Sequence, residues 1–473
     1  MTHVVSLLPP VDLPSTAGEL RAAGHRYRSV KEELRDNLLS QLAEGVPRFP
    51  GIVGYGDTVL PEVERAILAG HDLVLLGERG QGKTRVIRAL VSLLDEWTPV
   101  IAGSELNEHP FHPITPASRR RAAEAGDELP VAWLHRSLRY GEKLATPDTS
   151  VGDLIGDVDP IRVAQGRTLG DPETIHFGLV PRTNRGIFAV NELPDLAERI
   201  QVSLLNVLEE RDIQVRGYQL RVPLDLLLVA SANPEDYTNR GRIITPLKDR
   251  FGAEIRTHYP LELDLETALV RQEATLVATV PDHVVEVLAR FARAVRESPA
   301  VDARSGVSAR FAIAATETVA AAALRRAGLM GEDEPVARIG DAVSVTSTLR
   351  GKVEFESGEE GREVEILSHL LRTATADAFR ARLAGLDLSS FVNLVGEGTI
   401  IETGDLVPAE DLLRQVGPVP GLAKVLDRLD LGDAPTRGEA AAGVEFVLEG
   451  LHLTRRMSKA TTAEGRTLYG SRE

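Results

Sequence analysis

Cysteine is absent from all 473 residues, which removes disulfide staples, thiolate metal sites and thiol nucleophiles together. Also missing is any run of about 18 apolar residues, the length a membrane-spanning helix needs. The first residues, MTHVVSLLPPVDLPSTAGEL, hold no basic stretch followed by a long apolar one, so no secretory leader is read and a soluble cytoplasmic protein is expected. Positive charge is in deficit, 54 Lys and Arg against 70 Asp and Glu, for a formal charge of −16. So acidic a surface argues against passive wrapping of nucleic acid, although a basic channel formed on oligomerisation remains compatible with it. No internal repeat is visible. The length exceeds what one core fills, and two to four structural units are expected.

What is present is concentrated in Leu73-Val74-Leu75-Leu76-Gly77-Glu78-Arg79-Gly80-Gln81-Gly82-Lys83-Thr84. Four consecutive apolar residues fit a strand buried on both faces of a parallel sheet. They run into G-x-x-x-x-G-K-T, after which Val86, Ile87, Leu90, Val91, Leu93 and Leu94 recur with helical period. Glycines let backbone N–H groups curl around phosphate oxygens where a helix begins. Gly77, Glu78, Arg79, Gly80, Gln81, Gly82, Lys83, Thr84 and Arg85 are therefore the candidate nucleotide contacts. Lys83 is expected to reach the β- and γ-phosphates and the Thr84 hydroxyl to ligate Mg²⁺.

Around this loop the chain divides by pattern. Residues 1–48 read as a helical leader: Thr16 and Glu19 make a capping box, and Leu20, Val30, Leu34, Leu38, Leu39 and Leu42 follow up to Gly45. From 49 to 262 short unbroken apolar runs at 73–76, 187–190 and 226–230 alternate with helical segments, predicting an α/β, doubly wound parallel sheet. Residues 101–148 do not fit that rhythm and are expected to form a rim insertion. Within it His109 and His112 have a spacing that suggests a metal, but Pro110 and Pro113 break helical presentation and no cysteine adds ligands, so a solvent-facing or subunit-contact loop is expected. Residues 263–386 are rich in Ala, Leu, Arg and Glu and predict an all-α lid, with helices at Arg310–Ala327 and Val364–Leu386. A mainly helical extension, 387–473, would end in an amphipathic helix from Ala440 to Lys459 with Arg455 and Arg456 at its C-terminal end.

Hydrolysis needs groups from other strands. Gly186 to Leu193 reads as a buried strand ending in Asn191 and Glu192, at the crevice where such sheets bind ligands. Glu192 is the candidate general base or orienting group for an attacking water. The strand 226–232 is followed by Asn233, a neutral hydrogen-bonding partner for that water or the γ-phosphate; the alternative is a plain Asn-Pro turn. Arg250, in Thr245 to Gly252, offers a rigid donor fork to the γ-phosphate of a neighbouring subunit, with Arg240 and Arg242 as rivals and Arg310 as a candidate from the later domain.

In this order the motifs resemble the AAA+ ATPases, within them the branch of magnesium-chelatase ATPase subunits (subunit I) and MoxR proteins. The resemblance rests on FPGIVGYGDTVLPEVERAILAGHDLVLLGERGQGKT, TSVGDLIGDVDP, FGLVPRTNRGIFAVNELPDL, LLNVLEERDIQVRG, SANPEDY and LKDRFG, between 49 and 252. It implies an α/β P-loop AAA+ core with a helical lid, ATP and Mg²⁺ as cofactors, and ATPase activity. It also implies Gly77, Gly80, Gly82, Lys83 and Thr84 as Walker A, Glu192 as the Walker B glutamate, Asn233 as sensor 1, Arg250 as arginine finger and Arg310 as sensor 2. Asp157 to Phe177 would be the branch's insertion, and Gln214 to Leu220 its hairpin before sensor 1. A homo-hexameric ring is implied, as is a partner bearing a von Willebrand factor A-type domain. One position departs: Asn191 stands where the Walker B aspartate is expected, so an outer Mg²⁺ contact loses a negative charge and keeps an acceptor oxygen. Slow turnover or weaker Mg²⁺ binding is the consequence expected.

Three functions follow. The first is an ATP-driven motor of chelatase/MoxR type that remodels or activates a partner, in metal insertion or another maturation. The second is a nucleotide-gated ring scaffold that hardly hydrolyses, because of Asn191. The third is a transcription activator or DNA motor, against which stand the lack of a basic helix-turn-helix pair, of a Gly-Ala-Phe-Thr loop and of excess positive charge.

Overall fold

The computed structural model describes residues 8–159, 161, 174–209, 213–215, 218–220, 222–233, 241–302, 307–396, 399–432, 434–462 and 466–471. The chain divides into two compact units, Met1–His258 and Tyr259–Glu473.

In the first unit the strands are β1 (Leu73–Leu76), β2 (Trp97–Ile101), β3 (Val131–His135), β4 (Tyr140–Leu144), β5 (Gly156–Val158), β6 (Ile175–Phe177), β7 (Gly186–Asn191), β8 (Ile213–Val215), β9 (Tyr218–Leu220), β10 (Leu226–Ala232) and β11 (Ala253–Arg256). Five of them form the central sheet in the order β11-β1-β10-β7-β4, and every neighbouring pair is parallel. The runs LVLL, GIFAVN and LLLVASA are buried at every residue, as interior strands covered on both faces must be. Alternation divides their side chains between two cores. Leu73, Leu75, Ile187, Ala189, Leu227 and Val229 face one, with Val86, Ile87 and Leu90; Val74, Leu76, Phe188, Val190, Leu228 and Ala230 face the other.

Several expectations change here. The helical leader is two helices, α1 (Ala17–Ala22) and α2 (Val30–Glu44), and α3 (Val59–Ala69) leads into β1. Thr16 caps α1, but the Glu19 carboxylate bonds Ser15, and the complete capping box is Ser29 with Glu32 at α2. Val30, Leu34 and Leu38 of α2 belong to the sheet's own core.

Residues 101–148 are not one rim insertion. β4 is the edge strand of the central sheet, its Gly141 opposite Phe188 and Leu144 opposite Asn191. Having a neighbour on one side only, it is half-buried and lacks the unbroken apolar run that marked the interior strands. The rest carries the helix Pro116–Ala125 and β3, which pairs antiparallel with β2 at the segment's start. His109 is buried rather than solvent-facing: its Nε2 lies 3.1 Å from His25 Nε2, while the Tyr27 ring stacks on His112 with centroids 4.7 Å apart. Among the described residues no group of three or more His, Asp or Glu is arranged to hold a metal ion. β5 pairs with β6, and β8 with β9, both antiparallel; residues 160 and 162–173 of the expected insertion, and 216–217 of the expected hairpin, lie outside the described residues.

The second unit is mostly helical, including Asp282–Glu297, Ala309–Met330, Glu363–Arg382 and Arg437–Leu453. Its last part, 387–473, is mainly helical as expected, and it shares the unit's core. Ile401, Leu412, Val444, Phe446 and Tyr469 share one core with Val284, Phe311 and Leu371, and strands Ile401–Thr403, Ser458–Thr461 and Thr467–Gly470 form a small antiparallel sheet. The final helix is not amphipathic. It is buried from Ala441 to Leu451, and Arg455 and Arg456 lie beyond its end. No described helix is long and apolar enough to cross a membrane.

Candidate nucleotide site

The loop between β1 and α4 (Lys83–Ala89) is built by Gly77, Gly80 and Gly82. At Gly77, whose N–H donates to the Ala232 carbonyl at 3.1 Å, a Cβ would collide with Thr257 Oγ1 and Gln81 Oε1. Gly80 and Gly82 take φ of 76° and 77°, where a side chain is strained. The loop is braced from inside: Gln81 Oε1 accepts from the Glu78 N–H (3.1 Å) and the Thr257 hydroxyl (2.8 Å). Beneath it, the Tyr55 hydroxyl sits between the carbonyls of Gln81 and His258, and burial pushes its pKa up to about 12. Helix α4 ends at Ala89 and tightens into a 3₁₀ turn over Leu90–Leu93, so the helical period read through Leu94 is carried by two kinds of turn.

Lys83 is buried and its ammonium donates to the carbonyls of Gly77 and Glu78, the latter at 2.8 Å. The cation is thus held inside the loop by the loop's own carbonyl oxygens. Arg79 and Arg85 are exposed, and Arg85 Nε donates to the Gly51 carbonyl at 3.0 Å.

At the end of β7, Asn191 is buried at the centre of a polar cluster. Its Oδ1 accepts from Thr84 Oγ1 (3.4 Å) and Ser231 Oγ (3.2 Å), and its Nδ2 donates to Glu142 Oε1 (2.6 Å). Glu142 in turn receives Arg88 in a two-point ion pair at 2.8 and 2.9 Å and the Tyr140 hydroxyl at 2.9 Å. Burial works against its charge, but the donors of Arg88, Tyr140 and Asn191 outweigh it and hold the carboxyl below its usual range. Glu192 follows with φ 55° and ψ 49°, a left-handed backbone that costs a non-glycine residue about 1 kcal/mol. Its N–H donates to Ser231 Oγ at 3.3 Å. Asn233 is buried directly beyond β10, the strand beside β7.

The sheet therefore brings together Gly77 to Thr84, Asn191, Glu192 and Asn233, on neighbouring strand ends. Arg250 and Arg242, in the same unit, are not among these strand-end residues. Arg250 is exposed at the end of the helix Thr245–Arg250 and pairs with Glu209 at 2.7 Å. Arg242 is exposed, Arg310 is exposed on the second unit, and Arg240 lies outside the described residues. Sequence reading missed Glu142, Arg88, Ser231, Tyr55 and Thr257. The period-two spacing of Tyr140, Glu142 and Leu144 was the available signal for Glu142, hidden by assigning the segment to an insertion. The oxygen donors at Thr84 and Asn191, with the Glu142 carboxylate bonded to Asn191, fit a hard cation such as Mg²⁺.

Residues 168–250 match the family model described as the Sigma-54 interaction domain. Magnesium-chelatase subunit ChlI of Anabaena variabilis is 29% identical over 205 residues, 43% of this chain and 57% of that protein. The chloroplastic ChlI subunit of Nicotiana tabacum is 27% identical over 270 residues, 56% of this chain and 58% of that protein. The chain is thus similar, over about half its length, to magnesium-chelatase ChlI subunits. The chain spans about half the length of the curated relatives it matches, 57%, 51% and 45% for three of them. Among solved structures, the cryo-EM complex between subunits BchI and BchD of magnesium chelatase is 21% identical, with a TM-score of 0.35 over 67% of this chain and 97% of that one.

Proposed function

We propose that this AAA+ protein binds ATP with Mg²⁺, hydrolyses it to ADP and phosphate, and uses the cycle to remodel or activate a partner protein. The observation that carries this reading is the glycine loop with buried Lys83, set against the strand ends that hold Asn191, Glu192 and Asn233. On binding, the Lys83 ammonium exchanges loop carbonyls for phosphate oxygens, and loop N–H groups complete the cradle. Mg²⁺, when bound, neutralises phosphate charge, and Thr84 and Asn191 are the residues that would hold it and its shell. Glu192 orients the attacking water and draws off its proton as the new P–O bond forms and the bond to the β-phosphate oxygen breaks; Asn233 fixes that water or the γ-phosphate.

Arg250 acts in trans in a closed homo-hexameric ring, exchanging Glu209 for the neighbour's nucleotide, and Arg310 serves as sensor 2. In this reading 49–262 is the nucleotide core and 263–386 the lid, the chain works in the cytoplasm, and the client bears a von Willebrand factor A-type domain, in metal insertion or a MoxR-type maturation. Asn191 favours a second reading, a ring that assembles on ATP and hydrolyses little.

Steady-state hydrolysis by wild type, Lys83→Ala and Glu192→Gln, each sized with and without ATP, separates the two. A motor shows turnover abolished in both variants, with a ring forming on ATP. A scaffold forms the ring without turnover. Wild-type protein that neither binds ATP nor assembles overturns both.

A further inference from the structure

Asn191 looks like a lost charge in the sequence; the geometry accounts for it differently. Its carboxamide is held at three points, and the two ends differ in character. The nitrogen donates to Glu142 at 2.6 Å, while the oxygen accepts from Thr84 at 3.4 Å and Ser231 at 3.2 Å. A carboxylate accepts and does not donate, so Glu142 admits only the amide's NH₂ and turns the carbonyl oxygen toward Thr84. Glu142 reaches Asn191 because β4 pairs in parallel with β7: Glu142 lies opposite Ala189, two residues back on the face that carries Asn191. Arg88, one turn after Thr84 on α4, grips the same carboxylate at 2.8 and 2.9 Å, with the Tyr140 hydroxyl at 2.9 Å. An aspartate at 191 would set a second carboxylate against the first, at a spacing where like charges repel.

We propose that the negative charge expected at the end of β7 has moved one strand over, to Glu142, which acts as a positioning residue by holding the Asn191 oxygen toward Thr84 and the metal side of the site. This rests on the proposed binding of Mg·ATP. It accounts for residues 142 and 191 together: a glutamate on the edge strand requires an amide on the strand beside it. Asn191 is then half of an exchanged pair rather than a defect.

The test is a two-by-two set of full-length proteins: wild type, Glu142→Gln, Asn191→Asp and the double variant. Two quantities are read, the Mg²⁺ concentration that half-saturates binding of a fluorescently labelled ATP, and Tm without nucleotide. Glu142→Gln is expected to raise the Mg²⁺ requirement about tenfold or more, a typical effect of losing an outer contact to a metal site. The double variant should return it to within about threefold of wild type, that is, less than half of the tenfold step on a logarithmic scale. Asn191→Asp alone should lower Tm, and the double variant should recover it.

A structural role for Glu142, as a mere anchor for Arg88 and Tyr140, predicts a lower Tm in Glu142→Gln that Asn191→Asp does not repair; that result overturns the inference. So does an unchanged Mg²⁺ requirement in Glu142→Gln while wild type binds labelled ATP normally. No Mg²⁺-dependent binding by wild type overturns instead the functional reading, and the inference with it; the Tm cycle identifies that case, because it reports coupling between 142 and 191 without nucleotide.

Discussion

Single residues in the loop separate two uses of glycine. Gly77 has ordinary backbone geometry but no room, since a Cβ would meet Thr257 and Gln81, the pair that braces the loop. Gly82 has open space around it but φ of 77°. Gly77→Ala is therefore expected to push the brace apart, costing about 1–3 kcal/mol of stability and at least tenfold in affinity for labelled ATP. Gly82→Ala should cost about 1 kcal/mol through backbone strain alone and leave Thr257 and Gln81 in place. Urea unfolding and ATP titration of both variants check this, and equal affinity losses would contradict it. The loop residues were legible because phosphate binding demands a local sequence pattern. Glu142 was not, because its role depends on the register of β4 against β7, which no local pattern encodes.

At the scale of elements, α2 is tied to the edge of the sheet by a buried ion pair. Arg139, just ahead of β4, meets Glu33 of α2 in a bidentate pair at 2.6 Å, with side chains 0% and 4% exposed. Both ends have further partners: Arg139 Nε donates to the Arg185 carbonyl at 2.7 Å, and Glu33 accepts the Asp95 N–H at 2.7 Å. Removing one partner strands the other charge, so Arg139→Met or Glu33→Met is expected to cost about 3–5 kcal/mol in urea unfolding. The double Met variant should cost no more than either single one; additive losses would show that the pair does not work as a unit. Element by element, legibility followed burial. LVLL, GIFAVN and LLLVASA declared themselves because interior strands must be apolar on both faces, whereas β4 alternates Tyr140, Glu142 and Leu144 against solvent and was read as insertion. The last helix misled in the opposite sense. Its small residues, Ala441, Ala442, Gly443 and Gly450, are sites of close packing, and a Cβ on Gly450 would strike the Phe379 ring, so it is buried all round.

Across the whole molecule, both units bury a histidine in its neutral form. In the first, burial, then Arg185, His25 and His112, bring the His109 pKa down to about 2; in the second, burial and then Arg382 bring His283 down to about 3. An unfolded histidine titrates near 6.5. Below that value the unfolded chain takes up protons that the folded one refuses, so these contributions are fully present above about pH 6.5 and are lost as pH falls toward the folded values. Each histidine adds a slope of up to about 1.4 kcal/mol per pH unit in that window. Asp225 and Glu445 run the other way, because burial raises their carboxyls and protonation then favours the folded state. The histidine contribution is thus isolated by difference. His283→Leu and His109→Phe, compared with wild type by urea unfolding from pH 7 to pH 4.5, should each flatten the fall in stability with acidity, and the two together should flatten it further, since the residues lie in different units. Variants whose stability falls in parallel with wild type across that range would show that neither histidine is held neutral by the fold.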